Sequence, residues 1–253
     1  MCVAFFAIKG YTQDSIVNYL DRKGEISKKE HARYIETIVR KDSLWLVRRY
    51  FANGKIFLLG KFKHKAKKQP IGEFLEYYSN GHLKKKFFYN DKSLKSNWIK
   101  NWFYTGKLSH SGNYRNGKRE GIWKFYHSNG NMASKLYYKN EHIVKSVIYD
   151  EQGAEIKVSL IRFKKATFIG GSKEFKKKIQ NLVNGLGFRI KGKIHVNFII
   201  NGSGEISNIA IEEQIAEKYK KEIISYFQKI KGWSPAIHMN RKYFVNHHIT
   251  LSL

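Results

Sequence analysis

The sequence predicts an α+β protein, an antiparallel β-meander of hairpin repeats followed by a domain of two helices and three strands. Two observations carry this reading. A Gly-centred turn recurs as Asn53-Gly54, Asn80-Gly81, Thr105-Gly106 and Asn129-Gly130, at spacings of 27, 25 and 24, and a fixed period of this length marks a repeat architecture. After Gln152-Gly153 the repeat columns stop, and helical and strand-like patterns alternate instead. Composition agrees: 42% apolar and 15% aromatic residues supply a core, while a single Cys and two Pro exclude a disulfide framework and a Cys-rich zinc site. No run approaches the roughly 20 apolar residues of a membrane span.

In chain order, Met1–Ile8 is apolar and is followed by Lys9-Gly10-Tyr11-Thr12-Gln13. Residues 1–12 read as the remnant of a truncated signal peptide, with Gly10 and Thr12 at the −3 and −1 positions and cleavage before Gln13. The expectation is export to the periplasm or cell envelope; without export the protein is cytoplasmic. Residues 13–155 form the repeat domain. Residues 32–51 supply an opening hairpin that turns at Lys41-Asp42-Ser43.

Four columns then fall into register around the turn glycines Gly54, Gly81, Gly106 and Gly130. Four residues before them stand Tyr50, Tyr77, Trp102 and Tyr126; seven before stand Val47, Phe74, Ile99 and Trp123. Two after stand Ile56, Leu83, Leu108 and Met132, and eight after stand Phe62, Tyr89, Tyr114 and Tyr138. Each unit is therefore two short strands about a turn in which Gly takes positive φ. Turns at Asn116-Gly117 and near Asn90-Asp91 return the chain to the next unit. One hairpin cannot bury its aromatic face alone, so neighbours must stack.

In the C-terminal residues 165–253, Ser172 reads as the N-cap of a helix carrying Phe175, Ile179, Leu182, Val183 and Leu186 on one face. Ile194, Val196, Phe198 and Ile200 alternate, turn at Asn201-Gly202-Ser203-Gly204 and return as Ile206–Ile211. Tyr219, Ile223, Tyr226, Phe227 and Ile230 mark a second helix. Trp233-Ser234-Pro235-Ala236 then leads into one strand, Tyr243–Leu253. Its apolar column is Tyr243, Val245, Ile249, Leu251 and Leu253, and Phe244, Asn246, His248, Thr250 and Ser252 face the other way.

Residues 45–150 resemble the MORN-like repeats of the YwqK-type antitoxin family, best at Gly121-Ile122-Trp123-Lys124-Phe125-Tyr126 through Asn129-Gly130. The third unit departs, with Asn97-Trp98 where the others open on Gly and Thr105 in place of Asn. Such repeats imply an interaction scaffold. Residues 165–253 resemble the C-terminal domain of TonB, through Gly170-Gly171, Gly192-Lys193-Ile194, Asn201-Gly202-Ser203-Gly204 and Trp233-Ser234-Pro235-Ala236. In that family the domain is periplasmic and pairs a sheet edge with the TonB box of an outer-membrane receptor. The resemblance implies capture of an extended peptide by β-augmentation along the last strand, with Phe244, Asn246, His248, Thr250 and Ser252 at the docking edge and a link to TonB-dependent transport. Gly170, Gly171, Gly192, Asn201, Gly202, Gly204, Trp233 and Pro235 are then structural. The anchor helix and Pro-rich spacer of a true transducer have no counterpart in this sequence.

The 48 Lys plus Arg against 20 Asp plus Glu give a net charge of +28, spread over both halves of the chain. The expected partner is a protein, with an anionic envelope surface as a second candidate; export argues against nucleic acid. No enzyme is expected. There is no nucleophile elbow, HExxH or phosphate loop, Glu212-Glu213 lacks an acid/base partner, and His247-His248 point to opposite faces of a strand. No catalytic residue, metal ligand or cofactor is assigned. Two alternatives stay open: an antitoxin-type MORN scaffold whose C-terminal domain is only structural, and a charge-driven binder of nucleic acid or another anionic polymer.

Overall fold

The computed structural model describes residues 15–157, 162–186, 192–213 and 215–252; the leader-like residues 1–12 and Leu253 lie outside them. Across the described residues the fold is α+β, with a long antiparallel meander and two helices. Twelve strands follow one another in chain order across one sheet: β1 (Ser15–Leu20), β2 (Tyr34–Lys41), β3 (Leu44–Phe51), β4 (Ile56–Phe62), β5 (Pro70–Tyr77), β6 (Leu83–Tyr89), β7 (Lys95–Trp102), β8 (Leu108–Arg115), β9 (Lys118–Tyr126), β10 (Met132–Lys139), β11 (His142–Tyr149) and β12 (Glu155–Ile156). The opening hairpin is β2–β3, and β1, which no repeat column announces, pairs with β2 ahead of it. The chain divides into two compact units, Met1–Trp123 with Tyr137–Lys145, and Lys124–Leu136 with Ser146–Leu253.

In the first unit the column seven before each turn Gly is the core. Val47, Phe74, Ile99 and Trp123 are at most 3% exposed. Val47 lies opposite Gly60 and Ile99 opposite Gly112. The missing side chains make room for the next unit's ring: a Cβ on Gly60 would sit 2.2 Å from the Phe74 ring, and one on Gly112 would sit 2.2 Å from the Trp123 ring. Trp123 is held further by Tyr114 (5.1 Å, edge-on), by the Arg119 guanidinium (4.8 Å) and by donating its indole N–H to the Asn113 carbonyl (3.1 Å). Also buried is Glu36, which accepts from Arg49 Nη2 (2.6 Å) and Lys67 Nζ (2.8 Å). Burial opposes its ionisation, but those two hydrogen bonds and charges hold the carboxyl below the ordinary range.

The repeat turns share one closure. The N–H of the turn Gly donates to the carbonyl three residues back, at Phe51, Tyr78, Phe103 and His127, and the N–H of that same residue donates to the carbonyl four residues on. Gly54, Gly81, Gly106 and Gly130 take φ of 79°, 95°, 85° and 104°. Side chains also reach from one turn to the carbonyls of the next. In the first unit, Lys55 Nζ donates to the Asn80 carbonyl (3.2 Å), and Asn80 Nδ2 and Tyr78 Oη donate to the carbonyls of Tyr104 and Trp102 (3.0 and 2.8 Å). In the second unit, Asn129 and Asn131 both donate to the Glu151 carbonyl (2.8 and 2.9 Å). A further turn, Asp150–Ala154, closes by the same two bonds and joins β11 to β12. Here Asp150, the first residue of the turn, accepts at Oδ1 from Gln152 N and Ala154 N (3.0 and 2.9 Å), as Asp21 does in the turn after β1.

The second unit continues with β13 (Phe163–Lys164), β14 (Thr167–Phe168), α1 (Gly171–Gly185), β15 (Lys193–Ile200), β16 (Ile206–Ile211), α2 (Glu217–Lys229), β17 (Trp233–Ser234), β18 (Ala236–His238), β19 (Arg241–Tyr243) and β20 (Val245–Ser252). β15, β16 and β20 form a sheet in the order β16-β15-β20. Its core gathers Phe175, Ile179 and Leu182 of α1, Ile223 and Phe227 of α2, Ile194, Val196, Phe198 and Ile200 of β15, and Leu251. Both helical faces are therefore those the periodicity names. Ser172 does not cap α1: Gly170 occupies the N-cap at φ 75°, without a side-chain bond, and Ser172 lies in the first turn.

The expected single strand Tyr243–Leu253 is also corrected. Met239 and Asn240, at φ 53° and 61°, turn a separate hairpin, β18–β19, in which Tyr243 lies opposite Ala236. The cause is Arg241, which is 1% exposed. Its guanidinium donates to the Tyr126 carbonyl (2.5 Å) and lies over the rings of Phe125 (5.3 Å) and Tyr243 (5.1 Å). Burial lowers its pKa to about 10, against the opposing pull of Tyr243. Holding one cation under a cap of rings and carbonyl diverts the chain before β20 begins.

Candidate functional site

β20 is a terminal strand of its sheet, paired on one side with β15 from Val245↔Ile200 to Ser252↔Lys193. Among the described residues no strand pairs with its other side. Backbone direction follows from the ladder. The carbonyl of His195 accepts from Glu212 N (3.2 Å) on the β16 side, so in β15 the alternate residues Ile194, Val196, Phe198 and Ile200 turn their backbone groups to β20. Their partners there are Leu251, Ile249, His247 and Val245. Consequently Asn246, His248 and Thr250 direct N–H and C=O to the unpaired edge. All three side chains are exposed.

Of the other residues expected at this edge, Phe244 is a half-buried connector between β19 and β20, and Ser252 pairs with Lys193 at the end of the ladder. The inward column also contains a polar residue that its apolar reading passed over. His247 stacks on Phe198 (5.5 Å) and lies 5.0 Å from Trp233. Burial, and then the neighbouring His248, push its pKa below the ordinary value.

The motif residues of this unit are supports. Trp233 is half-buried and packs on Phe168 (5.3 Å) and Phe175 (4.9 Å). Asn201 Oδ1 accepts from Ser203 N and Glu205 N (both 2.9 Å), closing the turn that holds Gly202. Gly204, at φ 83°, brings this turn against the strand before Pro235, since a Cβ there would lie 2.1 Å from the Trp233 carbonyl oxygen. Gly171 and Gly192 take φ of 76° and 131° at the entries to α1 and β15. In the repeats Tyr50, Tyr77, Trp102 and Tyr126 are half-buried, one turn-end residue per unit.

Sequence reasoning missed one cluster. His195 N and Nδ1 donate to the two oxygens of Glu213 (2.7 and 2.5 Å), and Asn197 donates to Glu212. One imidazole and two carboxylates thus converge within 4.8 Å, a donor set of the type a divalent cation takes. Glu212-Glu213 does have a partner, but it stands on the adjacent strand, 18 residues away, and no local spacing announces it. Among the described residues no helix is long and apolar enough to cross a membrane.

Comparison with known proteins bears on the repeats. Residues 70–91 and 119–140 match the MORN repeat variant family, and these segments are the β5–β6 and β9–β10 hairpins. No TonB C-terminal family match is found, and no curated protein matches the chain. The two matched hairpins are thus MORN-type repeats, and such repeats are generally protein- or membrane-interaction modules.

Proposed function

We propose that this is a non-enzymatic binding protein of the cell envelope, in which a MORN-type meander is joined to a C-terminal unit that captures an extended peptide along β20, such as the TonB box of an outer-membrane receptor. The observation that carries the reading is the unpaired edge at Asn246, His248 and Thr250. An edge of this kind offers N–H and C=O groups to an incoming strand. The element order α1, β15, β16, α2, β20 and the motifs around Gly170, Asn201 and Trp233 support the likeness to TonB. Envelope localisation rests on the leader-like residues 1–12.

The test is titration of the full chain with TonB-box-like peptides. His248→Pro removes an edge donor and leaves the β15 ladder intact. It should abolish saturable binding, while His248→Ala changes the Kd less than about threefold. Equal binding by wild type and His248→Pro rejects β-augmentation at this edge. The two repeat matches favour a second reading, a scaffold that holds its partner on the meander alone. That reading predicts partner binding indifferent to every β20 substitution.

A further inference from the structure

Among its described residues the first unit contains one sheet and no helix beyond a single 3-10 turn at Lys29–His31. The two faces of that sheet differ. On one runs the buried row of Ile38, Val47, Phe74, Phe87 and Ile99, each at most 5% exposed. On the other runs a row whose members lie directly opposite one another from strand to strand: Arg48, Leu59, Leu75, Lys86 and Lys100, on β3 to β7. Residues paired in this way share a face. Arg48 and Lys100 are exposed, and the three between them are half-buried. The order across the sheet is cation, two leucines, two cations.

The neighbouring positions extend the pattern. Trp98, two residues along β7 on the same face, is 38% exposed, with Lys86 Nζ at 5.2 Å and Lys100 Nζ at 6.0 Å from its ring. Lys61 lies two residues along β4 from Leu59. The acid at this part of the face is Glu73, paired with Lys86 at 2.6 Å. The face is therefore apolar along its middle and positive at both ends, over about 19 Å for four strand steps.

We infer that this face docks an acidic, leucine-bearing polypeptide segment. Its carboxylates meet Arg48 at one end and Lys86 and Lys100 at the other, while its apolar side chains cover Leu59, Leu75 and the Trp98 ring. Leu59 and Leu75 decide the class of partner. An aliphatic pair at the centre of the row buries alkyl groups, and the rings two residues along, Tyr50, Tyr77 and Trp102, are half-buried at the turn ends, whereas a single-stranded nucleic acid takes a series of exposed aromatic platforms. Charge complementarity fixes the sign of the partner and shortens its search, and the apolar centre holds it.

The probe is a fluorescein-labelled 16-residue peptide of Glu-Leu-Leu-Glu blocks, titrated into the full chain by anisotropy. Controls are a Lys-Leu-Leu-Lys twin, a Glu-Ser-Ser-Glu twin, a dT16 oligonucleotide and vesicles of one-third anionic lipid. The acidic leucine peptide should bind at least tenfold more tightly than either twin, and more weakly as salt rises. Trp98→Ser should weaken it several-fold. Arg48→Glu with Lys100→Glu should cost it at least tenfold and raise affinity for the Lys twin, a swap that a misfolded variant cannot produce. Equal binding of the Ser twin, indifference to the charge reversal, binding confined to dT16 or to vesicles, or a sedimentation shift showing that a second copy fills the face would each overturn the inference. The β20 edge plays no part in this test, so His248→Pro should leave it unchanged.

Discussion

Gly112→Ala is the sharpest test of how the repeats interlock, because one methyl group probes the contact between two of them. The new Cβ would stand 2.2 Å from the Trp123 ring, where carbon atoms need about 3.5–4.0 Å, so the ring must retreat by about 1.5 Å. It has nowhere to go. Trp123 is 1% exposed, with Tyr114 at its edge, Arg119 over its face and its N–H committed to the Asn113 carbonyl. Overpacking costs about 1–3 kcal/mol, and losing the indole hydrogen bond adds about 1 kcal/mol, so the expected loss is about 2–4 kcal/mol. Denaturant unfolding followed by tryptophan fluorescence reads it. Trp123→Ala alone should cost about 3–5 kcal/mol, and the double variant should be more stable than the sum of the two by at least about 1 kcal/mol, since the clash disappears with the ring. Additivity within about 0.5 kcal/mol would show that the ring does not lie over Gly112. Gly185→Ala is the control. It lies at the end of α1 with no atom within 4 Å of the new Cβ, and should be neutral or stabilising by up to about 1 kcal/mol.

Four further outcomes follow. Because the folded-state pKa of Glu36 is depressed, its contribution is complete above the unfolded glutamate pKa of about 4.3 and is lost as pH falls through the lower folded value; Glu36→Gln should cost about 2 kcal/mol at pH 7 and flatten the acid limb of a stability–pH profile. His247 is also depressed, so the folded state favours the neutral ring and stability should fall as pH drops below about 6.5; His247→Phe should remove that decline in thermal melts. Trp233→Ala should cost about 2–4 kcal/mol, below the range for a fully buried indole, as measured by denaturant titration. Arg241→Met should keep the packing over Phe125 but lose the Tyr126 bond, costing about 1–3 kcal/mol, and hydrogen exchange should speed up at the β18–β19 hairpin.

What the sequence disclosed and what it withheld divide along local and non-local physics. The turn glycines, the buried column Val47, Phe74, Ile99 and Trp123, and the inward faces of α1 and α2 were legible because each depends on a period or a φ preference within a few residues. Gly60 and Gly112 were silent, because their meaning lies in the ring of the following unit. The break between Tyr243 and Val245 was invisible for the same reason. Alternation reads smoothly through it, and the diverting contact joins Arg241 to Tyr126, 115 residues away. At the candidate edge, the exposed positions Asn246, His248 and Thr250 followed from alternation, but their outward backbone needed the β15 ladder. The His195, Glu212 and Glu213 cluster had no local signal.

The turn-to-turn bonds give the array a direction. Lys55, Tyr78, Asn80, Asn129 and Asn131 each hand a proton donor forward to a later carbonyl, whereas the Asp150 carboxylate only accepts, within its own turn. Growth or loss of the meander is then quantised. Excising or duplicating a whole period upstream of Asp150 presents each forward donor with an equivalent carbonyl, but removing one residue inside a strand turns every later side chain to the opposite face. A chain shortened by the 24 residues from Lys107 to Gly130 should still close its turns, while one lacking Lys100 alone should not.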